Sequence, residues 1–256
     1  MSNLAGSSSR GLVVPLQESI EVEDTKFLWV FGYGSLCWNP GFTFDKAVAG
    51  CIRGFSRRFW QGNSTHRGTE QQPGRVATLV EDNEGVVHGV AFRISGDAAI
   101  PYLTRRECKL GGYKAEFTSF FPSNTELSFT VVLYVATSRN AMWLGDAPLQ
   151  EIALQISNCQ GPSGHNAEYL IRLAEFMREH FPEEKDEHLF HLEVLVKKNI
   201  LNQNKCLTTL MGDSAGHIIF VRSSAQLQRP EGQEERAGSF QFTTRVPEKT
   251  LRCLNI

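Results

Sequence analysis

Glu107 is the residue whose position in this sequence most favours chemistry. On a helical wheel it lies between Ile100 and Leu103, on an apolar stripe that Leu110 continues. A carboxylate on such a stripe must form an ion pair, carry a proton or take part in function, because burial of an unpaired charge is costly. Desolvation would raise its pKa toward neutrality, which suits a general base that afterwards acts as an acid. Arg106 borders the stripe, so a structural ion pair and a catalytic role are both open from these residues alone.

A second candidate is the loop Gly32-Tyr33-Gly34-Ser35-Leu36, which directly follows a short apolar run. Two glycines around a tyrosine at a strand end allow a tight turn that leaves several backbone N–H groups unpaired. Such groups bind a carboxylate or an oxyanion, although a plain structural turn has the same pattern. The third glycine of a dinucleotide fingerprint is absent and no helix pattern follows, which excludes a Rossmann site.

Polar residues elsewhere in the chain have weaker functional signals. The stretches 61–68 and 73–75 contain donors suited to carboxylate recognition, but ordinary turn chemistry explains them equally well. The segment 161–166 is interpreted as a link between two helices, with Asn166 as the N-cap. His188 and His191 stand three residues apart on a predicted helix without a convincing third ligand, which favours a structural role and predicts no metal site.

The elements that must position these residues are predicted as strands first and helices afterwards. Short apolar runs bounded by turn residues predict strands at 27–31, 49–60, 76–80, 86–94, 113–121 and 127–137. One helix between them is predicted from Asp97 to Gly111-Gly112. Helical periodicity then covers 149–158, 166–180 and 187–201. This order predicts the α+β class, with a curved or closed sheet covered by helices.

The composition and charge of the chain limit its organisation and its partners. With 256 residues, 41% hydrophobic and 21% charged, it fits one globular domain at 27–204 between a disordered N-terminal tail, 1–26, and a polar, poorly ordered C-terminal tail, 205–256. A net charge of -2 offers no basic surface to nucleic acid, and the apolar runs are too short to cross a membrane. Six dispersed cysteines indicate reduced thiols, and no signal-peptide core follows Met1, so a cytosolic protein is expected.

Many of these segments follow one another in the order seen in the ChaC family. They are Val30 to Leu36, 56–62, 66–68, 73–76, 78–82, Arg106-Glu107, Gly111-Gly112-Tyr113 and 161–164. The chain resembles this family, the glutathione-specific γ-glutamylcyclotransferases, over about residues 28–200. The resemblance implies a γ-glutamylcyclotransferase-like fold, a closed mixed β-barrel with flanking helices. It also implies release of 5-oxoproline and Cys-Gly from reduced glutathione, a small-molecule substrate, with no metal or organic cofactor.

The resemblance also implies roles for individual residues. The catalytic glutamate of the family corresponds to Glu107, which precedes Gly-Gly-Tyr with three residues intervening. The substrate-binding loop of the family corresponds to the stretch Val30, Phe31, Gly32, Tyr33, Gly34 and Ser35, to which Leu36 is added as the end of the turn. Arg75 and Tyr113 are further candidate substrate contacts.

The cyclisation chemistry explains why the sequence has no nucleophile motif, because the α-amine of glutathione can attack its own γ-carbonyl. Glu107 is hypothesised to take a proton from the α-ammonium and to return one to the departing cysteinyl nitrogen. The amides near Gly34 and Ser35 would hold either the α-carboxylate or the oxyanion. Two alternatives stay open: the same reaction on other γ-glutamyl compounds, and a non-catalytic adaptor on the same fold. No protein partner is identified.

Overall fold

Five strands form a closed barrel in a computed structural model of the chain, which describes residues 27–95 and 113–212. The strands are β1 (Phe27–Gly32), β2 (Lys46–Asn63), β3 (Gly74–Ser95), β4 (Lys114–Pro122) and β5 (Phe129–Val135). Their order around the barrel is β1-β3-β2-β4-β5, with antiparallel neighbours. A parallel pairing of Val30 with Val132 joins β1 to β5 and closes the barrel. The predicted closed mixed barrel is therefore confirmed.

The helices follow the barrel along the chain, which confirms the α+β class. They are α1 (Leu149–Asn158), α2 (Asn166–His180), α3 (Glu187–Asn202) and the short α4 (Leu207–Leu210), with a two-strand hairpin, β6 (Gln160–Gly161) and β7 (Gly164–His165), between the first two. The predicted bounds of α1 and α2 are confirmed, and α3 is one residue longer than predicted. Helix α4 lies beyond residue 204, the predicted end of the folded domain. The segments 1–26 and 213–256 and the predicted helix from Asp97 to Gly112 lie outside the described residues.

The strands β2 and β3 form a longer ribbon than the sequence predicts. The two predicted strands at 76–80 and 86–94 are one strand of 22 residues. Between the pairs Arg53–Val86 and Phe55–Glu81 the register shifts, and Gly54 takes a φ of 86°, which side-chain-bearing residues rarely adopt. The polar residues opposite Gly54 form a bulge in the ribbon. A polar bulge and a turn share the same composition, which is why the prediction divided the strand.

A cluster of aromatic rings joins β1 to β4 and β5. The ring of Phe120 lies 5.7 Å from that of Phe31 and 5.2 Å from that of Phe129. Phe31 and Phe120 are almost completely buried. Because aromatic pairs at these separations add to the free energy of apolar burial, this cluster holds β1 firmly where the candidate loop begins.

The start of α2 differs from the prediction. His165, not Asn166, is the N-cap, since its Nδ1 accepts the N–H of Ala167 at 3.1 Å. Asn166 is completely buried, and its side chain accepts the Arg75 N–H at 2.7 Å and donates to the Arg75 carbonyl at 2.8 Å. Asn166 therefore fastens α2 to β3. The composition of the segment could not reveal this, because an asparagine amide serves a cap or a strand equally well.

His188 has the structural role that the sequence favoured. Its Nε2 accepts the N–H of Phe59 at 3.1 Å, and its ring stacks on the Phe59 ring with centroids 6.1 Å apart. Burial, and then the positive charge of Arg58, lowers the pKa of His188 to about 4. Across residues 27–95 and 113–212, no group of three His, Cys, Asp or Glu side chains is arranged to hold a metal ion.

We expect His188 to make folding less favourable as the pH falls from about 6.5, the unfolded pKa, to about 4. The folded pKa is depressed, so in this window the unfolded chain binds the additional proton and the free energy of unfolding decreases. The contribution is fully present above the unfolded pKa, and its loss reaches at most about 3 kcal/mol.

Urea unfolding at pH 7 and pH 4.5 measures this effect in wild type, His188→Gln and His191→Gln, where His191 is an exposed control. Between pH 7 and pH 4.5 we expect the unfolding free energy of His188→Gln to fall by about 2 kcal/mol less than that of wild type. His191→Gln should behave as wild type does. The same pH dependence in all three proteins would contradict this assignment.

None of the helices within the described ranges combines the length and the apolarity that crossing a bilayer requires. The four cysteines within the same ranges, Cys37, Cys51, Cys159 and Cys206, are free thiols.

Candidate functional site

The loop after β1 turns through a short 3-10 helix at Ser35–Cys37. The N–H of Cys37 donates to the Gly34 carbonyl at 2.9 Å, and the N–H of Asn39 donates to the Ser35 carbonyl at 2.8 Å. The Cys37 thiol donates to the Gly32 carbonyl at 3.3 Å, and burial raises the pKa of this thiol to about 12. Cys37 therefore keeps its proton and holds the two ends of the turn together.

Three successive amides at the start of this turn lack hydrogen-bond acceptors within the described ranges. In the part of the chain that the structure describes, the N–H groups of Gly34, Ser35 and Leu36 donate to no other group. All three residues are half-buried. Consecutive N–H groups without acceptors form a concave site for an anion. The turn predicted from Gly-Tyr-Gly-Ser-Leu thus leaves three successive amides without acceptors among the described residues, which is one requirement of a carboxylate or oxyanion site.

Both glycines of the turn are required by close approach of other groups. A Cβ on Gly34 would lie 2.6 Å from the Tyr169 Oη, and a Cβ on Gly32 would lie 2.7 Å from the Leu36 Cβ. Real Cβ atoms do not approach heavy atoms this closely. A side chain at either position therefore forces the turn or its neighbour to move.

Tyr169 is a site residue that the sequence reasoning missed. It projects from α2, is buried, and its Oη accepts the N–H of Ala77 at 3.3 Å beside Gly34. Its ring packs edge-on against Trp38 and Phe59, with centroids 5.2 and 6.0 Å apart. Burial raises its pKa to about 12, so the phenol keeps its proton. Its only sequence signal is an aromatic residue on the buried face of a helix, which is typical of ordinary core packing.

The other residues of the predicted loop anchor the turn to the core and to β5. Val30 and Phe31 are buried in the core, so they contribute a rigid strand end at the loop. Tyr33 is also buried, and its Oη donates to the Tyr134 carbonyl at 2.5 Å. Tyr113, which directly precedes β4, is half-buried against the core. The structure thus ties the loop to the end of β5.

The Arg75 guanidinium donates hydrogen bonds to other groups of the protein. Its Nε donates to the Gln155 Oε1 at 2.6 Å, and its Nη1 donates to the carbonyls of Phe59 and Gly145 at 3.0 and 2.9 Å. Burial lowers the pKa of Arg75 from its ordinary value. These bonds join β2, β3, α1 and the segment before α1. They give Arg75 a structural function whether or not it also contacts substrate.

The polar stretch 61–68 has ordinary turn chemistry at its centre. The Asn63 Oδ1 accepts the N–H groups of His66 and Arg67 at 2.8 and 2.7 Å. The Arg67 guanidinium donates to the Glu168 carboxylate at 2.7 Å and to the His165 carbonyl at 3.1 Å. These donors are used within the fold. Of the two readings of this stretch, the structural one therefore accounts for Asn63 and Arg67.

A cavity of about 520 Å³ contains none of the predicted site residues and is lined by Cys51, Arg53, Asn83, Glu84, Gly85, Val86, His88 and Glu184. Glu107, the predicted catalytic residue, lies outside the described residues.

Known proteins are similar to this chain over about two thirds of its length. Glutathione-specific gamma-glutamylcyclotransferase 1 of Rattus norvegicus is 49% identical over 177 residues, which are 68% of this chain and 80% of that protein. The protein of the same name from Homo sapiens is 48% identical over 170 residues, 65% of this chain and 77% of its own length.

A solved structure and a family model agree with these relatives. The crystal structure of a selenomethionine-labelled γ-glutamyl cyclotransferase specific to glutathione from yeast aligns with a TM-score of 0.61 at 28% identity. The alignment covers 67% of this chain and 96% of the yeast chain. The barrel and helices are therefore those of a γ-glutamylcyclotransferase. The family model described as ChaC-like protein matches residues 28–199. The chain, with its ordered motifs and its closed barrel, belongs to the ChaC-like protein family.

Proposed function

We propose that this protein degrades reduced glutathione by cyclisation of its γ-glutamyl group, with release of 5-oxoproline and Cys-Gly. The observation that carries the proposal is the turn of Gly34, Ser35 and Leu36, whose three amides have no acceptor within the described residues. The relatives named as glutathione-specific enzymes support the choice of substrate.

The turn would hold an anionic group of the substrate, and the substrate brings its own nucleophile. Glutathione can fold so that its α-amine reaches its γ-carbonyl carbon, and holding it in that conformation removes much of the barrier. The amides at Gly34 and Ser35 would bind the α-carboxylate or the developing oxyanion, where fixed donors stabilise negative charge without reorganisation. The buried hydrogen bonds of Tyr33 and Cys37 would keep these donors in place.

Proton transfer is the other requirement, and we assign it to Glu107. Its carboxylate takes a proton from the α-ammonium, and the amine nitrogen then attacks the γ-carbonyl carbon to form a tetrahedral intermediate. When the bond to the cysteinyl nitrogen breaks, Glu107 returns the proton to that nitrogen, and the ring nitrogen loses its second proton, which the released amine of Cys-Gly takes up. One C–N bond forms and one breaks, and no water is consumed. The position of Glu107 on an apolar stripe in the sequence supports this assignment.

We infer that the reaction takes place in the cytosol. The four described cysteines are free thiols, as is usual for proteins of a reducing compartment. Cell fractionation with an antibody against the chain tests this inference, and recovery with a secretory or membrane fraction would contradict it.

Incubation of the purified protein with reduced glutathione tests the proposed function. We expect 5-oxoproline and Cys-Gly in equal amounts by mass spectrometry, and a much slower release of 5-oxoproline from γ-glutamyl-alanine. A folded protein that releases neither product from glutathione would overturn the proposal. Release from γ-glutamyl-alanine alone would keep the reaction and change the substrate.

A further inference from the structure

Gln61 of β2 has a buried hydrogen-bond acceptor with no partner among residues 27–95 and 113–212. The residue is 2% exposed, and its Oε1 accepts no hydrogen bond from the part of the chain that the structure describes. Its Nε2 donates to the Asn140 Oδ1 at 3.2 Å. An unpaired buried amide oxygen loses its hydration without compensation, so folded proteins rarely retain one. This oxygen is therefore a candidate acceptor for a donor that the described protein groups do not provide.

The orientation of the Gln61 amide is determined by its neighbours. The Asn140 Oδ1 also accepts the N–H of Met142 at 2.8 Å, so this atom of Asn140 is an oxygen. A reversed Gln61 amide would place two oxygens against each other, so Nε2 faces Asn140 and Oε1 points elsewhere. The main chain is held as well, because Gln61 pairs with Val76 in the ladder and bridges to Trp143. The acceptor is thus preorganised.

A series of short contacts connects the face that carries Gln61 to the candidate loop. Thr78 lies two residues beyond the ladder partner of Gln61, on the same face of the sheet and about 7 Å along the strand. The Thr78 hydroxyl donates to the Ala136 carbonyl at 3.0 Å. Two residues earlier, the Tyr134 carbonyl accepts the Tyr33 hydroxyl. These hydrogen bonds join the strand that pairs with Gln61 to the end of β5 and to Tyr33 of the loop.

We propose that the Gln61 Oε1 accepts a hydrogen bond from the glycyl N–H of glutathione, and that this bond makes the site selective for a γ-glutamyl tripeptide. The inference rests on the proposed function. The α-ammonium must give its proton to a base, and a neutral amide oxygen cannot serve as one, so a peptide N–H is the better match. A γ-glutamyl amino acid lacks the glycyl N–H. A site with a buried polar atom rejects a substrate that leaves this atom unpaired.

The test compares Gln61→Met, a variant of similar volume, with Thr78→Val as the matched control. Thr78→Val removes one buried hydrogen bond from the same face and leaves Gln61 intact. The readout is kcat/KM for glutathione and for γ-glutamylcysteine. We expect Gln61→Met to lose about 10- to 100-fold on glutathione and to retain the wild-type value on γ-glutamylcysteine. Thr78→Val should retain the wild-type ratio of the two substrates.

Equal losses of Gln61→Met on the two substrates, or no loss on glutathione, would overturn the role of Gln61. An inactive wild type would overturn the proposed function instead, so the two failures are distinguishable. Titration calorimetry tests the contact independently of turnover. It compares the affinity for glutathione of Glu107→Gln with that of the double variant Glu107→Gln/Gln61→Met. We expect weaker binding in the double variant, and equal affinities would contradict the proposal. If Gln61→Met does not fold, Gln61→Leu provides the same comparison.

Discussion

Glu107→Gln will lower kcat for glutathione by about 10²- to 10⁴-fold, the usual contribution of a general acid–base group. Glutamine has nearly the same size as glutamate, so the fold is expected to persist. The amide cannot take the proton from the α-ammonium or return one to the cysteinyl nitrogen. Release of 5-oxoproline measured by mass spectrometry, together with thermal unfolding of both proteins, provides the test.

An exposed glutamate of β3 provides the control for this variant. Glu81→Gln changes the charge by the same amount, and we expect it to retain wild-type turnover. Glutathione should still bind to Glu107→Gln, because the turn at Gly34 and Ser35 is unchanged. Near-normal turnover in a folded Glu107→Gln protein would remove Glu107 as the base. Loss of binding together with turnover would point to a role in holding the substrate rather than in proton transfer.

Gly34→Ala is expected to lower kcat/KM for glutathione by about 100-fold or more, the usual effect of losing a preorganised donor. The new Cβ would lie 2.6 Å from the Tyr169 Oη, so the turn must shift away from the position that aims its amides. Steady-state kinetics also distinguish the group that is bound. A higher KM at constant kcat indicates the α-carboxylate, whereas a lower kcat indicates the oxyanion.

A second substitution tests whether the close approach causes this loss. In Gly34→Ala/Tyr169→Phe the Oη is gone, and the nearest atom of the ring, Cζ, stands 3.8 Å away, an ordinary contact. We expect the double variant to recover most of the lost activity. Tyr169→Phe alone is the control. We expect only a small loss of activity in it, caused by leaving the Ala77 N–H without its acceptor. A double variant as inactive as Gly34→Ala would refute the steric explanation.

The sequence by itself determined the elements, their order and the family. Apolar periods and breaking residues located α1 and α2 to the residue, because amphipathic periodicity and helix ends are local properties. The Gly-Tyr-Gly-Ser-Leu segment predicted the turn for the same reason. The predictions failed at the bulge opposite Gly54 and at the cap of α2. In both places a polar residue was compatible with two local structures.

The tertiary structure alone decided what the buried polar side chains do. Tyr169 reaches Ala77 across 92 positions of the chain, and Arg75 reaches Gln155 across 80. The unpaired oxygen of Gln61 was likewise invisible in the sequence, because whether an acceptor has a partner depends on every element packed around it. The residue type determines which hydrogen bonds a side chain can make, and the packed fold determines which of them it makes.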